Sequence, residues 1–365
     1  MSRQDSLNTS AEFFDGGGFA KLLAEQVQHP TESRNPDRGS ELRAYLSDTL
    51  KPYLEQLGFS CRILNNPAEP RAPFLIGRRI EDPELLTVLT YGHGDTVMGM
   101  EERWQKGLEP WRLQCYEDRW YGRGVADNKG QHAINLSALA SVIKTRGRLG
   151  FNCKIILEMG EEIGSPGLRE LCRRERDALT SDVFIASDGP RVDPDIPTLF
   201  GGSRGVFNFD MLLDLREGEH HSGNWGGLLA NPGIILAHAI ASLIDATGTI
   251  LLPELKPAAI PEGVREALCD IRLAAEKDAD QKWGEPGLSA AEKVIAWNSL
   301  EVLALECGHP ASPVHAVPAR AWARCHIRFV ADTNPDTFLP AIRKHLDAHG
   351  FSQVELTGHP LSYGT

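Results

Sequence analysis

Three short apolar runs, Leu85–Tyr91, Cys153–Met159 and Asp182–Ala186, have the length and β-branched or aromatic content of buried strands. Between the first two lies a stretch with helical spacing. From Lys129 to Arg146, Ala133, Ile134, Leu136, Leu139, Ala140 and Ile143 recur every three or four positions. Strands alternating with helices predict an α/β sheet. Further on, Val206–Leu215 and Trp322–Val330 read as strands, and Leu228–Ala246 as a helical stretch interrupted early by Pro232. Pro335–Phe351 reads as a helix with Phe338, Leu339, Ile342 and Leu346 on its apolar face, and a new strand begins around Val354. Phe19–Val27 is expected in a helix and Met1 to about Asp15 to be loose. The charged, Pro-interrupted stretch Pro253–Trp297 predicts helices joined by loops.

Polar chemistry is concentrated where the first three apolar runs end. Tyr91-Gly-His-Gly-Asp-Thr96 closes the first run, Met159-Gly-Glu-Glu-Ile-Gly164 the second and Ala186-Ser-Asp-Gly-Pro190 the third. Gly122-Arg-Gly-Val-Ala-Asp-Asn-Lys-Gly130 leads into the predicted helix. In open α/β sheets, ligands gather beyond the carboxyl ends of strands. His93, Asp95, Asp127, Glu161, Glu162 and Asp188 could therefore share one crevice. One imidazole among several carboxylates suits zinc with an oxygen-rich shell. Each piece alone has a plainer reading: a His-Gly-Asp turn, a solvated Glu pair, a helix-capping Asp, a tight Gly turn. The glycines around Gly122 match neither a dinucleotide fingerprint nor a Walker loop.

Taken together, from about Phe74 to Phe351, these segments resemble the M20 family of co-catalytic zinc peptidases and deacylases. The resemblance implies a zinc-exopeptidase-like α/β catalytic domain, a mixed sheet flanked by helices, interrupted by a smaller α+β lid or dimerisation domain. The corresponding boundaries are 1–202 and 333–365 for the catalytic part and 203–332 for the lid. It also implies roles. His93 and Asp188 would hold one Zn2+, Asp127 would bridge two, and Glu162 would hold the second. Glu161 would be the general base, and Asp95 would hydrogen-bond His93 and fix its tautomer. A cis peptide is implied at Asp127-Asn128. Glu219-His-His-Ser-Gly-Asn-Trp-Gly-Gly227 resembles the lid segment whose histidine, here His221, reaches the substrate of a partner subunit. Arg328 matches the arginine that binds the substrate carboxylate, and His315 departs from the family's Asn or Thr. The long insertion and Gly226-Gly-Leu-Leu-Ala-Asn-Pro-Gly233 are more similar to the carnosinase-type dipeptidase branch. The family carries a second His ligand far downstream, whereas this sequence stops at Thr365, so a C-terminally truncated member is expected. His345 and His349 are spaced like a helical metal pair, but Leu346 stands where a His-Glu-x-x-His motif has Glu.

Composition narrows the remaining choices. The 365 residues suffice for two domains, and the net charge of -12 argues against a nucleic-acid surface. Seven cysteines without a CxxC pair favour a reducing, cytoplasmic setting. No apolar run is long enough to span a bilayer, and no signal peptide is evident at the start. The expected activity is metal-dependent hydrolysis of the amide bond of a dipeptide or small peptide by a homodimer carrying two Zn2+ per subunit, with other divalent metals possible. The alternatives are an N-acyl-amino-acid amidohydrolase and an inactive fragment that keeps the fold and partial metal binding.

Overall fold

The first strand after the N-terminal helices, β1 (Ser60–Leu64), begins a five-stranded sheet. With β2 (Phe74–Arg79), β3 (Thr87–His93), the small hairpin β4 (Gln114–Tyr116) and β5 (Arg119–Tyr121), β6 (Asn152–Glu158) and β7 (Val183–Ala186), it completes the strands of the first half of the chain. The sheet order is β1-β2-β6-β3-β7. β1, β2 and β6 pair antiparallel, whereas β3 runs parallel to both β6 and β7. The expected mixed α/β sheet is therefore present. All seven residues of β6 are buried, as a strand covered on both faces requires.

A computed structural model describes residues 2–189 and 195–359. The chain divides into two compact units, Met1–Pro190 and Arg191–Thr365. In the first, Leu46, Leu50, Leu54, Leu75, Leu136, Ile155 and Leu157 pack one face of the sheet, and Phe74, Ile76, Ile156 and Leu171 the other. The predicted helix Lys129–Arg146 is present. The N-terminus differs from expectation. Arg3–Asp15 is a helix because Ser2 and Asp5 form a reciprocal capping box, which satisfies first-turn amides.

The second unit is built on β8 (Gly205–Asp214), β9 (His220–His221), β10 (Ser299–Cys307), β11 (Ala316–Val317), β12 (Arg320–Phe329) and β13 (Glu355–Gly358). Its main sheet has the order β10-β12-β8-β13, all antiparallel, and β9 pairs with β11. Helix Pro232–Ala241 starts at Pro232 because Asn231 caps it and proline fits the first turn. Helix Phe338–Ala348 buries Phe338, Ile342 and Leu346 against Phe207, Phe209 and Phe329. The sequence-based boundaries gave residues 333–365 to the first domain. In the structure the described part of that segment is packed into, and paired with, the sheet of the second unit. Residues 190–194 and 360–365, which complete the last strand-end segment and the C-terminal stretch of that expectation, lie outside the described residues.

Candidate metal centre

The parallel arrangement of β3, β6 and β7 brings three polar strand ends to the same edge of the first unit's sheet. His93 is the last residue of β3, Glu161 and Glu162 form the short turn after β6, and Asp188 follows β7. Asp127 stands just before the helix that begins at Lys129. One ligand atom each from His93, Asp127 and Asp188 lies within 4.8 Å of the others. His93 Nε2 is 3.0 Å from Asp127 Oδ1, 3.7 Å from Asp188 Oδ2 and 4.0 Å from Glu161 Oε2.

The other ring nitrogen fixes the histidine. His93 is fully buried, and its Nδ1 lies 3.0 Å from the Asp95 carbonyl oxygen and 3.3 Å from Asp95 Oδ1. A proton on Nδ1 satisfies those acceptors and leaves the Nε2 lone pair facing the carboxylates, the tautomer a metal needs. Asp95 has a second task that its motif does not reveal. Its two carboxylate oxygens accept the backbone N–H groups of Glu161 and Glu162, each at 3.1 Å. One buried side chain thus holds the imidazole and the Glu-Glu turn in register.

Asn128 and Lys129 complete the scaffold. The Asp127-Asn128 peptide is cis, as the family resemblance implies. Asn128 Oδ1 accepts the His93 backbone N–H at 3.2 Å, and its amide donates to the Ser187 carbonyl at 2.6 Å. This side chain ties the ends of β3 and β7 to the start of the helix. Lys129 is fully buried and donates to the carbonyls of His29 and Gln26 at 2.8 and 3.2 Å, with its ammonium 5.0 Å from the Tyr45 ring. Burial pushes its ammonium down to about 7. His132 is buried beside it, with Nε2 2.8 Å from the Tyr45 hydroxyl, and is pushed down to about 3, first by burial and then by the His93 and Lys129 charges.

Negative charge is crowded at the centre, although His93 holds the Asp127 carboxyl below its ordinary value. Burial and then repulsion from other carboxylates push Glu161 up to about 7, with His93 acting against them. Burial and Asp127 push Glu162 up; burial, Asp127 and Asp95 do the same for Asp188. Burial opposes a charge on His93, yet Asp127, Asp95 and Asp188 overcome it and push the ring up to about 11. Three acids that resist ionisation, Glu161, Glu162 and Asp188, crowded round one imidazole, mark a place that calls for added positive charge. A divalent ion held by one imidazole and carboxylates meets that demand, so the donor set fits a metal.

The remaining predicted residues are in the second unit. His221 is exposed, and its Nδ1 accepts the Gly223 backbone N–H at 3.1 Å. The His315 carbonyl accepts from both the backbone N–H and the hydroxyl of Ser222. Arg328 is exposed on β12. His345 and His349 stack at 4.0 Å, with the His349 Nδ1 2.8 Å from the His345 carbonyl, which is helix packing rather than a metal pair.

Comparison with known proteins accords with this geometry. The chain is 29% identical over 297 residues to mouse "Beta-Ala-His dipeptidase", covering 76% of this chain and 58% of the relative. It is 28% identical over 295 residues to the "Cysteinylglycine-S-conjugate dipeptidase" of Corynebacterium striatum, covering 77% of this chain and 63% of the relative. The chain thus spans roughly three fifths of the length of these curated relatives. A solved structure, the M20 family metallo-carboxypeptidase Sso-CP2 from Sulfolobus solfataricus, superposes with a TM-score of 0.80 at 25% identity, covering 95% of this chain and 79% of the other. Residues 89–335, the span that runs from β3 past β12, match the model of one family, and on that match the chain belongs to peptidase family M20/M25/M40.

Proposed function

We propose that this chain hydrolyses the amide bond of dipeptides or other small peptides with a metal held by His93, Asp127 and Asp188. The observation that carries the reading is the convergence of those three side chains at the strand ends, beside Glu161. The dipeptidase names of the relatives favour a short peptide with a free carboxylate over an N-acyl amino acid. Zinc is the proposed metal. A second ion would rest on Asp127 as bridge and on Glu162, whose carboxyl is pushed up by burial and by Asp127.

When bound, the metal supplies Lewis-acid polarisation of the scissile carbonyl and acidifies the attacking water. Glu161 accepts a proton from that water as its oxygen bonds to the carbonyl carbon. As the carbon–nitrogen bond breaks, the same carboxylate delivers the proton to the leaving amine, so an amine and a carboxylate result. Asp95 keeps Glu161 at the edge of the site through its backbone N–H. Arg328 is the proposed partner of the substrate carboxylate, because guanidinium matches that group in two parallel hydrogen bonds. His221 is proposed to reach substrate held by a partner subunit in a homodimer. Seven unpaired cysteines, two of them buried, favour a reducing, cytoplasmic setting.

Metal content and dipeptide turnover measured on the same sample test the reading. Bound zinc with hydrolysis of a free dipeptide is expected. The Glu161→Gln variant should keep its zinc and lose about 100- to 10,000-fold in kcat, the usual weight of a general base. Undiminished turnover in that variant removes Glu161 from the role, and preferential cleavage of N-acyl amino acids would reassign the substrate.

A further inference from the structure

The outward face of the second unit's sheet carries a row of polar side chains, of which the mechanism has used Arg328 alone. On β12 the alternating residues are Trp322, Arg324, His326 and Arg328; on β8 they include Asn208 and Asp210. The register sets His326 opposite Asn208. His326 Nδ1 is 3.0 Å from Asn208 Oδ1, and the Arg328 Nε–H donates to His326 Nε2, also at 3.0 Å. An arginine can only donate, so Nε2 must be a bare acceptor. The ring then carries its one proton on Nδ1 and gives it to the amide oxygen. Both bonds exist together only for the neutral Nδ1–H tautomer.

The surroundings favour that state. Burial, followed by the charges of Arg328 and Arg204, pushes His326 below its ordinary value. Arg324 on the same strand is already committed, with two bonds to Asp210 at 2.8 and 2.9 Å. Arg328 has no carboxylate within 4.0 Å among the described residues. Arg204 is pushed down by burial and by Arg328, with Glu301 as the opposing acid. Two guanidiniums against one carboxylate leave this patch short of an anion.

We propose that Asn208 and His326 are positioning residues that lock Arg328 through its Nε and so reserve its terminal nitrogens for the carboxylate of a peptide ligand. This rests on the reading of Arg328 as the carboxylate-binding group. His326 reads the ligand only through Arg328, and Asn208 acts only through His326. A guanidinium ordered before binding spends less conformational entropy on its ligand.

The test uses the full chain loaded with zinc, in the Glu161→Gln background so that peptide is not consumed. Alanylglycine and its C-terminal amide are the probes, with Kd read by calorimetry. The protein with His326 and Arg328 intact should prefer the free acid. His326→Ala should weaken alanylglycine by about fivefold, the weight of one pre-ordered side chain, and leave the amide unchanged. His326→Gln, whose side-chain oxygen can still accept from Arg328, should recover most of the loss. Asn208→Asp should mimic His326→Ala, because a carboxylate there draws a second proton onto the ring and turns Nε2 into a donor. Ring nitrogen-15 spectra of the full chain, assigned by the signal lost in His326→Gln, should show the Nδ1–H tautomer. An Nε2–H ring, or an unchanged Kd in His326→Ala, overturns the proposal. Equal affinity for acid and amide, unaltered in Arg328→Met, overturns the carboxylate reading beneath it.

Discussion

Asp95 shows how much one buried carboxylate can decide. Its side chain is fully buried, accepts from the amides of Glu161 and Glu162, and lies beside His93 Nδ1. Asp95→Ala leaves two amides without an acceptor, at a cost of about 1–3 kcal/mol for each that stays shielded from water. The same change frees the imidazole and Glu161 to wander. We expect a lower melting temperature and about 10- to 100-fold weaker zinc binding, as for loss of other groups that orient metal ligands. Thermal unfolding with and without zinc, and titration with a metal indicator, check both; zinc affinity equal to wild type would contradict this account. The residues that converge at the candidate metal centre were legible in the sequence because His93, the Glu161-Glu162 pair and Asp188 each follow an apolar run and Asp127 leads into a helix. The work of Asn128 and Lys129 was not, because it depends on which distant groups approach. Lys129 meets the carbonyls of Gln26 and His29, about a hundred positions away along the chain. No local pattern announces that meeting.

At the level of elements, the strands β3, β6, β7, β8 and β12 and the helix at Lys129 follow the apolar pattern within a residue or two, although β7, expected as a buried strand, is exposed at all four positions because it lies at the edge of its sheet. The N-terminal helix was missed because its signal is a cap, Ser2 with Asp5, rather than an apolar face, and none of its residues is buried. The packing of helix Phe338–Ala348 was also misjudged. Its apolar face was legible, but an apolar face does not say which sheet it will meet. What joins the second unit's strands beyond backbone pairing is a charged bracket. Asp210 on β8 takes two bonds from Arg324 on β12, and its Oδ2 lies 3.1 Å from Nε2 of His359 just past β13. Those partners, Arg324 foremost, hold the Asp210 carboxyl down at about 2. A folded-state value below the unfolded one stabilises the fold above about pH 4, and the gain fades as pH falls through about 2. Asp210→Asn should therefore cost about 0.5–1 kcal/mol near neutrality, discounted because Arg324 is partly exposed. Urea unfolding at pH 7, 4 and 2 should show the gap between wild type and variant closing at the lowest pH; a constant gap would mean that the carboxylate's charge contributes nothing.

For the molecule as a whole, the open question is what its sheet edges meet. Among the described residues, β10 lies at the edge of the second unit's sheet, with only β12 beside it. Exposed edge strands are ordinarily blunted by charge, proline or twist, because their free N–H and C=O groups pair readily with another chain. β10 instead presents Val302, Leu303 and Leu305 at 40%, 56% and 56% exposure, around a register shift between Val302 and Ala304. β7 in the first unit is a second such edge, with Val183, Phe184 and Ile185 also exposed. If a homodimer forms through the second unit, β10 is the edge best fitted to carry it. Apolar surface there would be buried against the same strand of another copy, in the self-complementary way that two-fold symmetry demands. The paired change Leu303→Lys with Leu305→Lys places four like charges across such an interface and should give a monomer. Phe184→Lys on β7 should leave the dimer intact. Sedimentation equilibrium across a range of protein concentrations separates the cases. A dimer that survives the β10 change and dissociates on the β7 change would move the interface to the first unit, and with it the proposal that His221 serves a partner's substrate would fall.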